Sequence, residues 1–262
     1  LMHEMKMSFI KQLTRAVLLA SLMISSVFAA YPDKPIKMMI GYAPGSSTDI
    51  VGRIIANDLS IALKQPVIVE NRGGAAGSLA ADAVAKSTPD GYTVLFAQNG
   101  LAINVAANPK LPFNGQKDLI PVVGVAATPH ILIVNNNSKA RNVSDLIAML
   151  KANPGKLSFA SSGIGNSDHM AGELFLATTG LQAIHIPYKG GGPATTDAIG
   201  GQIDFAVTSV AVPGAHIRAG RLRAVVSTGE KRSHVVPDTP TLIESGLPGF
   251  SAQAWWGWVA PV

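Results

Sequence analysis

The sequence predicts an α/β protein of two lobes, each a mostly parallel sheet covered by helices. Three observations predict it. From Pro35 onward short apolar runs alternate with helix-length amphipathic segments, the pattern of parallel strands joined by covering helices. The alternation runs to about residue 97 and starts again near His130, so the chain builds two such units. A chain of 262 residues can bury two hydrophobic cores. With no cysteine it must depend on those cores rather than on disulfides or thiolate metal sites.

In the first unit Ile36–Ile40 (IKMMI) reads as a strand, followed by a Gly/Pro/Ser turn and a helix from about Ile50 to Leu63. Ile50, Val51, Ile54, Ile55, Leu59 and Ala62 fall on one face of that helix. Val67–Glu70 is the next strand, Ala76–Ala85 the next helix, and Thr93–Ala97 a third strand opening after Pro89-Asp90-Gly91. In the second unit the strands are His130–Val134, Leu157–Ala160, Ile184–Ile186, Ile203–Val207 and Leu222–Val226. The helices between them are Val143–Ala152, Asp168–Thr178, Pro193–Ile199 and Pro213–Ala219. Polar, Pro-rich text from Gly229 to Pro240 breaks the rhythm, and Trp255–Val259 reads as one more strand whose alternating tryptophans fill core on both faces. A crossover near Ala126–Pro129 and a return near Gly246–Ser251 divide the chain. Residues 31–126 with 249–262 make lobe 1, and residues 127–248 make lobe 2.

Residues 1–30 read as an export signal rather than as fold. Lys6, Lys11 and Arg15 form a basic start, Ala16–Ile24 an apolar stretch, and Val27-Phe28-Ala29-Ala30 a small-residue exit with cleavage near Ala29–Ala30. The apolar stretch is shorter than the roughly 20 residues that span hydrocarbon. The expected product is therefore exported and soluble, with no stable membrane insertion after cleavage. Residues before Met7 read as extra sequence ahead of the start. The full chain carries 21 Lys+Arg and 16 Asp+Glu, net +5. Removing Lys6, Lys11, Arg15 and Glu4 leaves about +3, spread without the clusters that grip phosphate backbones. Nucleic acid is not an expected partner.

The loops after strands carry the chemistry, because open α/β sheets bind ligands beyond the carboxyl ends of their strands. Four of these loops are rich in Gly and hydroxyl residues: Tyr42–Asp49, Asn71–Gly77, Ser161–Ser167 and Lys189–Gly192. Glycine lets backbone N–H groups approach a ligand, and a helix start adds free N–H donors and partial positive charge. Together these suit a carboxylate or other small anion. The same residues also serve plainer ends: Ser47, Thr48 and Asp49 suit a helix cap, and each Gly-rich stretch suits a turn. Recurrence at the same topological place in both lobes favours a ligand.

Enzyme signatures fail. No G-x-S-x-G elbow or G-x-x-x-x-G-K-[ST] loop occurs, and Gly163-Ile164-Gly165 lacks the third glycine of a dinucleotide fingerprint, having Asp168 there. The six histidines show no metal-ligand spacing. No catalytic residue, metal or cofactor is expected. The alternative function is a hydrolase on a similar two-lobed fold using Ser162 and His169.

Four stretches, YPDKPIKMMIGYAPGSSTDIVGR, VIVENRGGAAGSLA, SSGIGNSDHMAGELF and IHIPYKGGGPATTDAIGGQIDFAV, occur in that order. Together they resemble the substrate-binding receptors of tripartite tricarboxylate transporters, the Bug receptors. The resemblance covers nearly all of the mature chain. It implies a type II-like, Venus-flytrap periplasmic binding protein fold. It also implies a small carboxylic acid held by backbone amides, hydroxyls and water, and delivery to the permease subunits of a membrane transporter. Pro44-Gly45-Ser46 stands where the family has PGG, and Asn71–Gly77 (NRGGAAG) where it has NRPGAGG. Family members continue past WWGWVAPV with helices that complete the first lobe, so lobe 1 is expected to be incomplete after Val262.

The candidate ligand-binding residues are Tyr42, Ala43, Pro44, Gly45, Ser46, Ser47 and Asp49 in the first loop, and Ala75 and Gly77 in the second. Gln98 follows, then Ser162, Gly163, Asn166, Ser167 and His169, then Tyr188, Lys189 and Gly190, and finally Thr208. The carboxylate is expected to meet backbone N–H groups of the Gly-rich loops and the hydroxyls of Ser46 and Ser162.

Overall fold

A computed structural model describes residues 31–262, and the export signal lies outside the described residues. Residues 34–262 form one compact unit, and only Tyr31–Asp33 of the preceding one are described.

The strands are β1 (Ile36–Ile40), β2 (Val67–Asn71), β3 (Thr93–Gln98), β4 (Leu119–Asn135), β5 (Ser158–Ser161), β6 (Ile184–Pro187), β7 (Phe205–Ser209), β8 (Leu222–Ser227) and β9 (Gln253–Pro261). The helices are α1 (Ser47–Leu63), α2 (Ser78–Ala85), α3 (Gly100–Ala107), α4 (Val143–Ala152), α5 (Ser167–Thr179), α6 (Gly191–Ile199) and α7 (Gly214–Arg218), with a 3-10 turn at Ala75–Gly77 ahead of α2. The strands run in the order β2-β1-β3-β9-β4-β7-β5-β6, with β8 also on β4. Strand β4 belongs to both halves. Its residues Leu119–Pro129 pair antiparallel with β9 in the first sheet, and His130–Asn135 pair antiparallel with β7 and β8 in the second.

Pairing within each half follows the βαβ pattern: β1 is parallel to β2 and β3, and β5 is parallel to β6 and β7. The antiparallel pairs all involve β4 or β9. The crossover expected near Ala126–Pro129 runs inside β4, whose pairing passes from the first sheet to the second at the Pro129/His130 step. Pro121, Gly124 and Pro129 punctuate this stretch, and its register shifts at Pro121/Val123 and Gly124/Ala126. Bulges let a strand accept such residues while it bends.

Both faces of each sheet are covered, and strand alternation sorts the side chains. Met38, Ile40, Val94 and Phe96 pack with Trp256 beneath α1, whereas Met39, Leu95 and Ala97 pack with Ala80, Ala81 and Val84 of α2. In the second half Leu132, Val134, Phe205 and Val207 join Leu146, Leu150 and Phe175, whereas Ile131, Ile133 and Ala206 join Ala194 and Ala198. Trp256 is buried and donates through Nε1 to Thr48 Oγ1 at 3.1 Å, while Trp255 is 40% exposed. The expectation that the tryptophans fill core on both faces thus fails at Trp255.

Two local features bring loops to the site. Helix α1 begins at Ser47, earlier than expected, and its cap is Ser46, whose Oγ accepts the Asp49 N–H at 3.3 Å. Ser47, Thr48 and Asp49 are thus first-turn residues rather than caps. A Cβ on Gly52 would lie 2.6 Å from Ile40 Cδ1 and 3.1 Å from Phe96 Cδ1. Glycine there lets α1 settle on the sheet and aims its N-terminus along the end of β1. Among the described residues no helix is long and apolar enough to cross a membrane.

Candidate functional site

A cavity of about 280 Å³ lies where loops of the first sheet meet loops of the second. Gly41 and Tyr42 follow β1, and Gly74, Ala75 and Ala76 follow β2. Ser162, Gly163 and Ile164 follow β5, and Pro187, Tyr188 and Lys189 end and follow β6. The walls are thus built from carboxyl ends of parallel strands in both halves.

A network of hydrogen bonds positions these loops. Asp49 is buried, and its carboxylate accepts from Gly45 N–H at 2.9 Å, Asn71 Nδ2 at 2.8 Å and Arg53 Nε at 3.0 Å. Burial pushes the Asp49 pKa up, but these donors outweigh it and hold the group below the usual carboxylate range. Asn71 Nδ2 also donates to the Tyr42 carbonyl at 3.1 Å, so one carboxylate and one amide tie the first two loops together.

Across the cleft Tyr42 Oη donates to Asn166 Oδ1 at 2.7 Å. Burial, and then the Asp168 carboxylate, push the Tyr42 phenol far above its ordinary pKa, so it stays a donor. Asn166 precedes α5 without capping it. Its Nδ2 instead donates to the Ser162 carbonyl at 3.0 Å. Asp168 reaches back from the first turn of α5, accepting the Ser162 N–H on Oδ2 and the Ser162 hydroxyl on Oδ1, both at 2.8 Å. Burial raises the Asp168 pKa to about 6 against the opposing effect of those hydrogen bonds.

Of the expected residues, Tyr42, Ala75, Ser162, Gly163, Tyr188 and Lys189 line the cavity. Asn166 stands behind it as the partner of Tyr42. Ala43, Gly45 and Ser46 pack against the start of α6: a Cβ on Gly190 would lie 3.2 Å from Ser46 Cβ, and one on Gly192 would lie 3.1 Å from the Gly45 carbonyl oxygen. Pro44 and Ser47 continue that loop, and Asp49 braces it. Thr208 Oγ1 lies under Gly191, 3.0 Å from where its Cβ would be. Gly77 and Gln98 surround a void of only about 10 Å³ beside Tyr42. Ser167 lines a separate hollow with Asn99 and Met170. His169 points its Nδ1 at the Gly165 N–H, 3.3 Å away, and stacks on His185 with ring centroids 4.0 Å apart. Gly41, Gly74, Ala76, Ile164 and Pro187 also line the cavity; Gly74, Ala76 and Ile164 lie within the expected loops without having been singled out, and Gly41 and Pro187 lie just outside them. Each sits beside an expected residue in the same loop or strand end, which is the signal that could have found them.

The donors differ from expectation. Ser162 places both its hydrogens on Asp168, and Ser46 is buried under Gly190 as a helix cap. Backbone N–H groups remain: among the described residues those of Ala75, Ala76, Ile164 and Lys189 have no intramolecular acceptor. Ala75 and Ala76 both adopt left-handed backbone, with φ of 47° and 50°. Non-glycine residues there carry strain of order 1–3 kcal/mol each, a cost found at functional sites.

Ser162 and His169 share no hydrogen bond, as the Ser162 hydroxyl goes to Asp168. A serine–histidine contact does occur one residue earlier, Ser161 Oγ to His185 Nε2 at 2.7 Å, but Ser161 is fully buried and its Oγ also accepts the Gly163 N–H. That contact fixes the loop and offers no approach to a substrate.

Residues 51–262 match the tripartite tricarboxylate transporter family receptor. The chain belongs to that family. The receptor is 40% identical to protein BugT of Bordetella pertussis over 233 residues, which are 88% of this chain and 72% of BugT. Among solved structures it is similar to Rpa4515 of R. palustris with adipate (TM-score 0.85, 29% identity, 88% of this chain and 78% of that one). It is also similar to MatC of Rhodopseudomonas palustris with bound malate (TM-score 0.82, 31% identity, 88% and 79%). The receptor therefore has the two-lobed periplasmic binding protein fold, and it is a solute-binding receptor in class.

Proposed function

We propose that this receptor captures a small carboxylic acid in the cavity between its two sheets and delivers it to the permease subunits of a tripartite transporter. The observation that carries this reading is the set of free backbone N–H groups at Ala75, Ala76, Ile164 and Lys189, contributed from both halves of one cavity. Hydrogen bonds to a charged group contribute roughly 1.5–3 kcal/mol each, and micromolar binding requires about 8 kcal/mol in total. Four such donors at about 2 kcal/mol or more each reach that total without an arginine clamp. Adipate on Rpa4515 and malate on MatC support the ligand class.

The lobes divide as residues 31–126 with 249–262 and residues 127–248, and they part to admit the solute. The basic, apolar and small-residue order of residues 6–30 directs the chain to the periplasm, where receptors of this family work. The bound acid is released unchanged.

A thermal-shift and calorimetric screen of mono-, di- and tricarboxylates tests the proposal. At least one acid should bind with micromolar affinity and be recovered intact by chromatography. If no acid binds, or if an ester or amide substrate is turned over instead, the proposal fails. The larger hollow of about 390 Å³ beside α3 and β9 is a weaker candidate site. Leu101, Val105, Leu119 and Val259 line it, and it offers no cation.

A further inference from the structure

Which acid the cavity takes follows from where its hydrogens point, given the carboxylate-receptor reading above. Three side-chain hydroxyls line it, and each gives its hydrogen to an internal acceptor. Tyr42 Oη donates to Asn166 Oδ1 at 2.7 Å, Ser162 Oγ to Asp168 Oδ1 at 2.8 Å, and Tyr188 Oη to Asp197 Oδ2 at 2.6 Å. With their hydrogens so engaged, and with Ser162 Oγ also accepting from Asn166 Nδ2 at 3.2 Å, these hydroxyls have no hydrogen left to offer a carboxylate oxygen. Two of the acceptors, Asp168 and Asp197, are themselves acidic side chains.

The charges at the site are therefore unbalanced against a second anion. Lys189 is the one cationic side chain on the cavity wall among the described residues, and it is exposed. Arg53 is already engaged by Asp49 and Asn71. The rest of the wall carries no charged or polar side chain. One carboxylate can be satisfied by the free N–H groups of the loops and by Lys189. A second would face this apolar wall and hydroxyls whose hydrogens are already engaged. An unpaired carboxylate taken out of water is strongly disfavoured.

We infer that this receptor selects a compact monocarboxylate with an apolar body over di- and tricarboxylates. The cavity of about 280 Å³ sets the size. At about 30 Å³ per water-sized group, it holds a ligand of about nine non-hydrogen atoms, the size of benzoate or hexanoate. Malate is as small, so size does not separate it from benzoate; the second charge does.

The test is calorimetric titration of the whole chain with benzoate, hexanoate, malate, adipate and citrate under one buffer. Benzoate or hexanoate should bind at least tenfold more tightly than any of the other three. Malate, adipate or citrate binding as tightly as the best monocarboxylate overturns the inference while leaving the carboxylate-receptor reading in place. Silence toward all five removes that reading instead. Ile164→Arg supplies the cation that the wall lacks, at a side chain 68% exposed and so without risk to the core. It should shift the adipate-to-hexanoate preference at least tenfold toward adipate. An unchanged preference in that variant overturns the charge argument and the inference with it.

Discussion

Tyr42→Phe removes one oxygen and leaves the aromatic ring packed as before. The lost bond, Tyr42 Oη to Asn166 Oδ1, is 2.7 Å long and buried, and it joins the end of β1 to the start of α5 across the cleft. Without it Asn166 Oδ1 keeps no donor, because its Nδ2 is the group that serves Ser162. Leaving a buried acceptor unsatisfied costs about 1–3 kcal/mol. The cost falls on the arrangement in which the two halves touch, which is the arrangement that surrounds a ligand. Affinity should therefore fall by about 5- to 150-fold, whereas each half keeps its own core. Calorimetric titration of the tightest-binding acid measures this directly, and circular dichroism checks that the fold persists. Affinity within twofold of wild type would show that this bond is not part of the closed arrangement.

Gly163→Val should abolish binding. Gly163 has φ of 136°, and a Cβ there would lie 3.1 Å from the Tyr188 carbonyl oxygen and 3.2 Å from Asn166 Nδ2, so a branched side chain must push the cavity wall apart. Undiminished affinity in calorimetry would remove this loop from the site. His130→Leu isolates a pH effect. His130 is fully buried, and burial drives its pKa down to about 4 from an ordinary 6.5. A base with a lowered folded pKa contributes stability that is present above about 6.5 and lost as pH falls through about 4. The stability of wild type minus that of His130→Leu should drop by about 3 kcal/mol between pH 7 and pH 4. Taking the difference removes the opposite contribution of Asp168, whose raised pKa favours the folded state on acidification below about 6. Urea unfolding at each pH measures it, and a pH-independent difference would refute the assignment.

Much of the fold is legible in the sequence where each element carries its own signal. The apolar runs of β1 and β3 are local, so their limits emerge within a few residues. The stripe read on α1 is half right: Val51 and Leu59 pack on the sheet, but Ile54 is 59% exposed and Ala62 is exposed too. Helix α3 is not legible for a local reason. Leu101, Ile103 and Val105 recur at every second residue, a strand-like period, and Asn104 interrupts the helical face. The first part of β4 is obscured by Pro121, Gly124 and Pro129, which read as breakers until β9 is laid beside them. The site loops are legible as Gly-rich strand ends, and Gly163 falls on the cavity as expected. The direction of the hydroxyl hydrogens is not. Nothing near Ser162 in sequence reveals that Asp168, six residues on and inside a helix, takes both of its hydrogens. Nor does the left-handed backbone of Ala75 and Ala76 show in residues that usually avoid it.

The most direct measurement is an amide NMR titration of the isotopically labelled receptor with benzoate and with adipate. The amides of Ala75, Ala76, Ile164 and Lys189 are predicted to shift together and saturate at one dissociation constant for whichever acid binds. Shifts confined to Leu101, Val105, Trp255 and Val259 around the hollow beside α3 and β9, or no shift at either place, would contradict a carboxylate held by backbone N–H groups between the two sheets.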